Sequence, residues 1–70
     1  DFLEERCIED PNASISKKEL YQAYVDWSTF NTEKTLSKGT FLRLIEERGY
    51  KPYRSNKERG WKGITLKKEQ

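Results

Sequence analysis

Residues 16–27, SKKELYQAYVDW, constrain this chain more than any other stretch. Ser16 and Glu19 have the S-x-x-E spacing of a capping box, in which each side chain satisfies a free amide at a helix start. Leu20, Ala23, Tyr24 and Trp27 follow at i, i+3, i+4 and i+7. That spacing puts three large apolar side chains on one helical stripe, which must be buried against something else. The chain has only 70 residues to supply that cover. A domain of this size buries just ~60% of its unfolded surface, so its core must come from large side chains. Two Trp, four Tyr and three Phe provide them, because aromatics bury much area per residue. One domain over residues 1–66, with a polar tail at 67–70, accounts for the whole chain.

A second helix is signalled by Ser37, a good N-cap, and the run KGTFLRLIEER. Phe41, Leu44 and Ile45 are expected on its buried face, and Gly49 stands where a helix end favours a left-handed residue. NTEKT, residues 31–35, is the turn between the two helices, with Phe30 closing the first of them. Upstream, DFLEERCIED reads as a helix carrying Phe2, Leu3 and Cys7 on one side, broken by DPNAS at residues 10–14. Ile15 stands between serines, in keeping with a very short extra strand. The lone Cys7 has no internal disulfide partner. A buried, reduced thiol suits a cytoplasmic setting. Beyond Gly49, YKPYR and WKGITL read as two strands around SNKERG, with Asn56 and Gly60 supplying the turn. Tyr53 and Trp61 are expected to brace the hairpin as a cross-strand pair, while Tyr50, Ile64 and Leu66 build the fold.

The net charge of +2 conceals an uneven layout. Residues 1–33 carry three Lys/Arg against eight Asp/Glu, and residues 34–70 carry eleven against four. Such a dipolar chain offers one basic face to a polyanion. Catalysis finds little support: there is no His, the three Asp are scattered over the acidic half, and no Gly-rich phosphate loop precedes a helix. Ser16 and Ser37 serve as caps rather than nucleophiles. No Cys/His set has zinc-ligand spacing, so no cofactor is expected and the chain is read as non-enzymatic. No apolar run approaches the ~20 residues needed to span a membrane.

The resulting α+β order is helix, short extended piece, helix, turn, helix, hairpin. This is the plan of a winged helix-turn-helix, three helices followed by a C-terminal β-hairpin wing. In that plan the second helix of the pair enters a DNA groove and the wing touches the neighbouring backbone. With Phe41, Leu44 and Ile45 turned inward, Lys38, Thr40, Arg43 and Glu47 project outward. Lys38 and Arg43 suit phosphates or guanine, and Thr40 either phosphate or base. Glu47 is expected to pair with a neighbouring base rather than meet a polyanion. In the wing, Arg54, Lys57, Arg59 and Lys62 surround the tip, where long cations reach phosphates without needing exact geometry.

Four pieces carry a family resemblance: L-Y-x-x-Y-x-x-W (Leu20, Tyr21, Tyr24, Trp27), L-S-K-x-x-F (Leu36, Ser37, Lys38, Phe41), E-R-G (Glu47, Arg48, Gly49) and W-x-G-I-x-L (Trp61, Gly63, Ile64, Leu66). Together they resemble the C-terminal domain of phage and plasmid primase–helicases. In these poxvirus-type replication proteins a superfamily 3 helicase core precedes a small winged-helix tail. The resemblance implies a fragment of a larger ATP-driven ring that replicates a mobile element in the cytoplasm of a bacterial host. The ATPase and primase activities would then reside in the rest of that protein. The expected role is an accessory module that holds duplex or forked DNA. The alternative is a protein-docking module, whose acidic residues Glu4, Glu5 and Glu9 meet the helicase ring, a neighbouring subunit or another replication protein.

Overall fold

A computed structural model describes residues 2–67. Along the chain these form α1 (Phe2–Arg6), β1 (Cys7–Ser16), α2 (Lys17–Phe30), α3 (Lys38–Glu47), β2 (Lys51–Arg54) and β3 (Arg59–Leu66). The strands make one antiparallel sheet in the order β1-β3-β2. The result is a small α+β domain with three helices and a three-stranded sheet. Of the tail expected over 67–70, only Lys67 is described; the remainder lies outside the described residues. None of the described helices is long and apolar enough to cross a membrane.

Both capped helices begin where their signals stand. Ser16 Oγ accepts the Glu19 amide at 3.1 Å, and Ser37 Oγ accepts the Thr40 amide at 3.4 Å. Leu20 and Tyr24 are buried on α2, and Phe41 and Ile45 on α3. Tyr24 stacks on Phe41 with ring centroids 4.4 Å apart, joining the two helices face to face. Phe2 closes the cluster edge-on, 5.6 Å from Tyr24 and 6.0 Å from Phe41. Gly49 has φ +94°, the left-handed backbone expected at the end of α3.

The N-terminal segment departs from the expected helix. Helix α1 stops at Arg6, and the chain continues as a ten-residue strand rather than a lone extended Ile15. A helix of five residues gains little from propagation. The free edge of β3 offers a full ladder instead, pairing Cys7 with Leu66 and Glu9 with Ile64. The expected break at DPNAS becomes a bulge inside this strand. Residues 10–13 stand opposite Gly63 alone, before pairing resumes at Ser14 and Lys62. Pro11, lacking a donor, is tolerated there because the ladder is already interrupted. Lys67 fastens the other end, donating its amide to the Arg6 carbonyl at 2.8 Å and Nζ to the Glu4 carbonyl at 3.0 Å.

Five further positions differ from expectation. Leu44 is 43% exposed and is not a core residue. At about 100° per residue, Leu42 and Leu44 flank the Phe41–Ile45 stripe symmetrically, and only Leu42 turns toward the sheet. Phe30 is 87% exposed, and Asn31 caps α2 instead. Trp61 does not face Tyr53: it pairs with Pro52 and with Ile15, and Tyr53 pairs with Gly60. Gly60 belongs to β3, not to the turn, which is closed by residues 55–58.

Candidate nucleic-acid interface

Helix α3 is aimed by α2. The Tyr21 hydroxyl donates to the Leu36 carbonyl at 2.9 Å, and the Tyr24 hydroxyl accepts the Leu36 amide at 2.9 Å. One turn further along α2, the buried Ser28 hydroxyl meets the Thr35 hydroxyl at 2.6 Å. These bonds fix the connection just before Ser37, and so fix the direction in which the N-terminal half of α3 points.

That half is exposed at Lys38, Thr40 and Arg43. Thr40 is partly engaged, because Ser37 Oγ donates to Thr40 Oγ1 at 3.0 Å; its own hydroxyl proton remains free for an acceptor. The C-terminal half is acidic, with Glu46 and Glu47 both exposed. A polyanion is therefore attracted to the start of α3 and repelled from its end. Between α3 and the sheet lies an open groove of about 550 Å³ lined by Lys17, Arg43, Glu46, Glu47 and Trp61. Lys17 Nζ sits 5.3 Å from the Trp61 ring centroid, a cation–π contact that places a further cation at this groove.

The hairpin sorts its cations by register. Arg54 is paired directly with Arg59, and Lys51 directly with Lys62. Opposed residues point to one face, and successive residues alternate. Trp61 is buried against the helices, so Arg54 and Arg59, two residues away on either strand's count, share the α3 side of the sheet. Lys51 and Lys62 share the opposite side. Lys57 lies at the turn, where Ser55 binds back: its amide donates to the Glu58 carbonyl at 2.8 Å, and its Oγ accepts the Glu58 amide at 3.1 Å. The structure thus brings Arg54 and Arg59 to the side of Arg43 and sends Lys62 to the other face.

Like charges directly opposed weaken a ladder by up to ~1 kcal/mol, and this hairpin contains two such pairs. Among the described residues no ion pair engages Lys38, Arg43, Arg54, Lys57, Arg59 or Lys62. Lys51 and Lys17 were not picked out from the sequence. The signal for Lys51 is its i, i+2 spacing from Tyr53, which puts both on one face of the strand; Lys17 becomes visible only through Trp61. Among the described residues two titrating groups are perturbed, and neither lies at this interface. Burial pushes the Cys7 thiol up to about 11, and burial, then the hydrogen bond to Glu9 at 2.9 Å, raises Tyr50. No protein-family model matches this chain, and no curated protein matches it significantly.

Proposed function

We propose that this chain is a winged helix-turn-helix module that binds duplex DNA, with α3 entering a groove and the β2–β3 hairpin as its wing. The reading is supported by the element order, by the sheet order β1-β3-β2 and by a hairpin directly after α3. One observation carries it: the unpaired, directly opposed Arg54 and Arg59 lie on the side of the sheet that also presents Arg43. Phosphates placed between such cations relieve the repulsion within the hairpin and release condensed counterions. An α-helix with side chains is about 10–12 Å across, and the major groove about 12 Å wide. Lys38, Thr40 and Arg43 lead α3 into it, while Glu46 and Glu47 keep its far end off the backbone. Arg54, Lys57 and Arg59 reach the adjacent phosphates. These contacts position the module more than they read a sequence.

The wider context, an accessory module of a primase–helicase from a phage or mobile element, rests on the sequence resemblance alone. The docking alternative gains one specific observation, Phe30, whose ring stands 87% exposed at the end of α2 on the acidic half of the chain. It predicts that Phe30→Asp abolishes association with the parent protein and leaves DNA binding intact.

Fluorescence anisotropy with a short duplex across a salt series tests the DNA reading. Binding should weaken steeply with salt, and each lost phosphate contact should lower the log–log slope by about 0.9. Arg43→Ala and Arg54→Ala should each do so. Absence of duplex binding at low salt, or slopes unchanged in both variants, overturns it.

A further inference from the structure

The duplex reading uses one face of the sheet and leaves the other unexplained. On that other face the register lays out two rows across the three strands. Ser14, Lys62 and Lys51 form one row, and Ser16, Gly60 and Tyr53 form the next. Ser14, Lys51 and Lys62 are exposed. Tyr53 is half-buried because its ring rests on Gly60: a Cβ at position 60 would stand 2.6 Å from Tyr53 Cε1. The missing Cβ at Gly60 lets the Tyr53 ring approach the central strand this closely, and the ring stays partly exposed.

We propose that this open face is a second nucleic-acid surface, which binds a single strand by stacking a base on Tyr53 while Lys51 and Lys62 hold the flanking phosphates. The chemistry favours a single strand over a duplex. An aromatic platform needs an uncovered base face, which paired and stacked bases do not offer. The two rows are two residues apart, about 6.8 Å along the strands, so a base on the ring puts its neighbouring phosphate within reach of both lysines. Two opposed, unpaired ammonium groups gain a shared counter-charge there, as the arginines do on the other side. The surface is defined by register and stands whether or not the α3 side binds a duplex. If both hold, the hairpin lies between duplex and single strand, as at a fork.

The test is anisotropy of the full chain with a fluorescent oligothymidylate of about a dozen nucleotides, alongside a blunt duplex. Lys51→Ala with Lys62→Ala should weaken oligothymidylate binding and lower its log–log salt slope by about 1.4, two single-strand contacts at ~0.7 each, with duplex binding unchanged. Tyr53→Ala should weaken it about fivefold or more, and Tyr53→Phe should not, because stacking needs the ring and not the hydroxyl. An oligonucleotide carrying 5-iodouracil should crosslink to Tyr53. Since Tyr53→Ala also unseats a ring from Gly60, the lysine pair and the crosslink decide the matter independently of folding. No oligothymidylate binding at low salt, or binding insensitive to the lysine pair, overturns the proposal. So does binding that Arg54→Ala with Arg59→Ala removes in full. Failure of duplex binding with these results retained would remove the duplex reading and leave this one standing.

Discussion

Arg59→Glu should stabilise the domain and weaken duplex binding at once. In the native hairpin, Arg54 and Arg59 are directly opposed. Side chains so placed have Cβ atoms about 4.5–5.5 Å apart, and two unit charges ~4 Å apart in water interact by about 1 kcal/mol. Exposed arginines splay, so the repulsion is nearer ~0.3–0.5 kcal/mol. Reversing one charge removes it and adds an attraction of similar size, for a net gain of roughly 0.5–1 kcal/mol. In a domain of this length each kcal/mol moves Tm by about 4–8 °C, so Tm should rise by about 2–8 °C at low salt. Screening identifies the cause. The Debye length is ~30 Å at 0.01 M and ~3 Å at 1 M, and the gain should largely vanish at the higher salt. Circular-dichroism melts at the two salts, with duplex anisotropy on the same samples, make the assay. Duplex affinity should fall at least tenfold, with a salt slope lower by about 0.9 or more. A Tm that drops or stays put at low salt refutes the register argument. A raised Tm with unchanged duplex binding refutes the role given to the wing.

Gly60→Ala should destabilise the domain strongly. Its Cβ would overlap the Ile15 carbonyl oxygen and press on Tyr53, at a cost of about 3 kcal/mol and a Tm lower by at least ~12 °C; a melt within a few degrees of wild type contradicts the packing. Tyr24→Phe keeps the stack on Phe41 but leaves the Leu36 amide without its acceptor. It should cost about 1–3 kcal/mol and weaken duplex binding by loosening the start of α3, as read by melt and anisotropy together. Cys7, with its thiol raised by burial to about 11 from 9.0, should react with iodoacetamide at pH 8 about a hundredfold more slowly than in unfolded chain, following the thiolate fraction. Because the folded value is the higher one, its contribution to stability is complete below pH 9 and is lost as pH rises through about 11. A melt series across that window checks the sign.

The helical half was legible because its signals are local. Ser16 and Ser37 each mark a helix start within one turn, and Leu20, Tyr24, Phe41 and Ile45 repeat at one helical spacing. The clamp that aims α3 was half visible: Tyr21 and Tyr24 stand out in the sequence, but their bonds to Leu36, 15 and 12 residues away, do not. Strand β1 was hidden for a related reason. Cys7–Glu9 are extended only because Ile64–Leu66 offer them a ladder some 57 residues later, and nothing in DFLEERCIED announces that partner. The candidate cations were found by residue type and position. Which face each occupies was out of reach, since a face follows from register.

Register also decides how the hairpin's charge and stability meet. Pairing Tyr53 with Trp61, as the sequence invites, differs from the observed register by one residue. Such a slip moves every side chain of one strand to the other face. In the slipped register Arg54 would oppose Gly60 and Lys62 would oppose Pro52, so neither like-charge pair would exist. Two constraints hold the chain in the more repulsive arrangement. Trp61 must face Ile15 to fill the core, where it is 1% exposed. Ser55 must also close the turn on Glu58, through its amide and its hydroxyl. Burial of a Trp side chain contributes more than ~2 kcal/mol, against up to ~1 kcal/mol for each opposed pair. Packing therefore wins, and the repulsion persists in the native state as two small clusters of uncompensated cations, one on each face. Either cluster is relieved by an anion that fits between its members. If DNA is that anion, as proposed, binding stabilises the hairpin, and the coupling should appear as a higher Tm in the presence of DNA than in its absence.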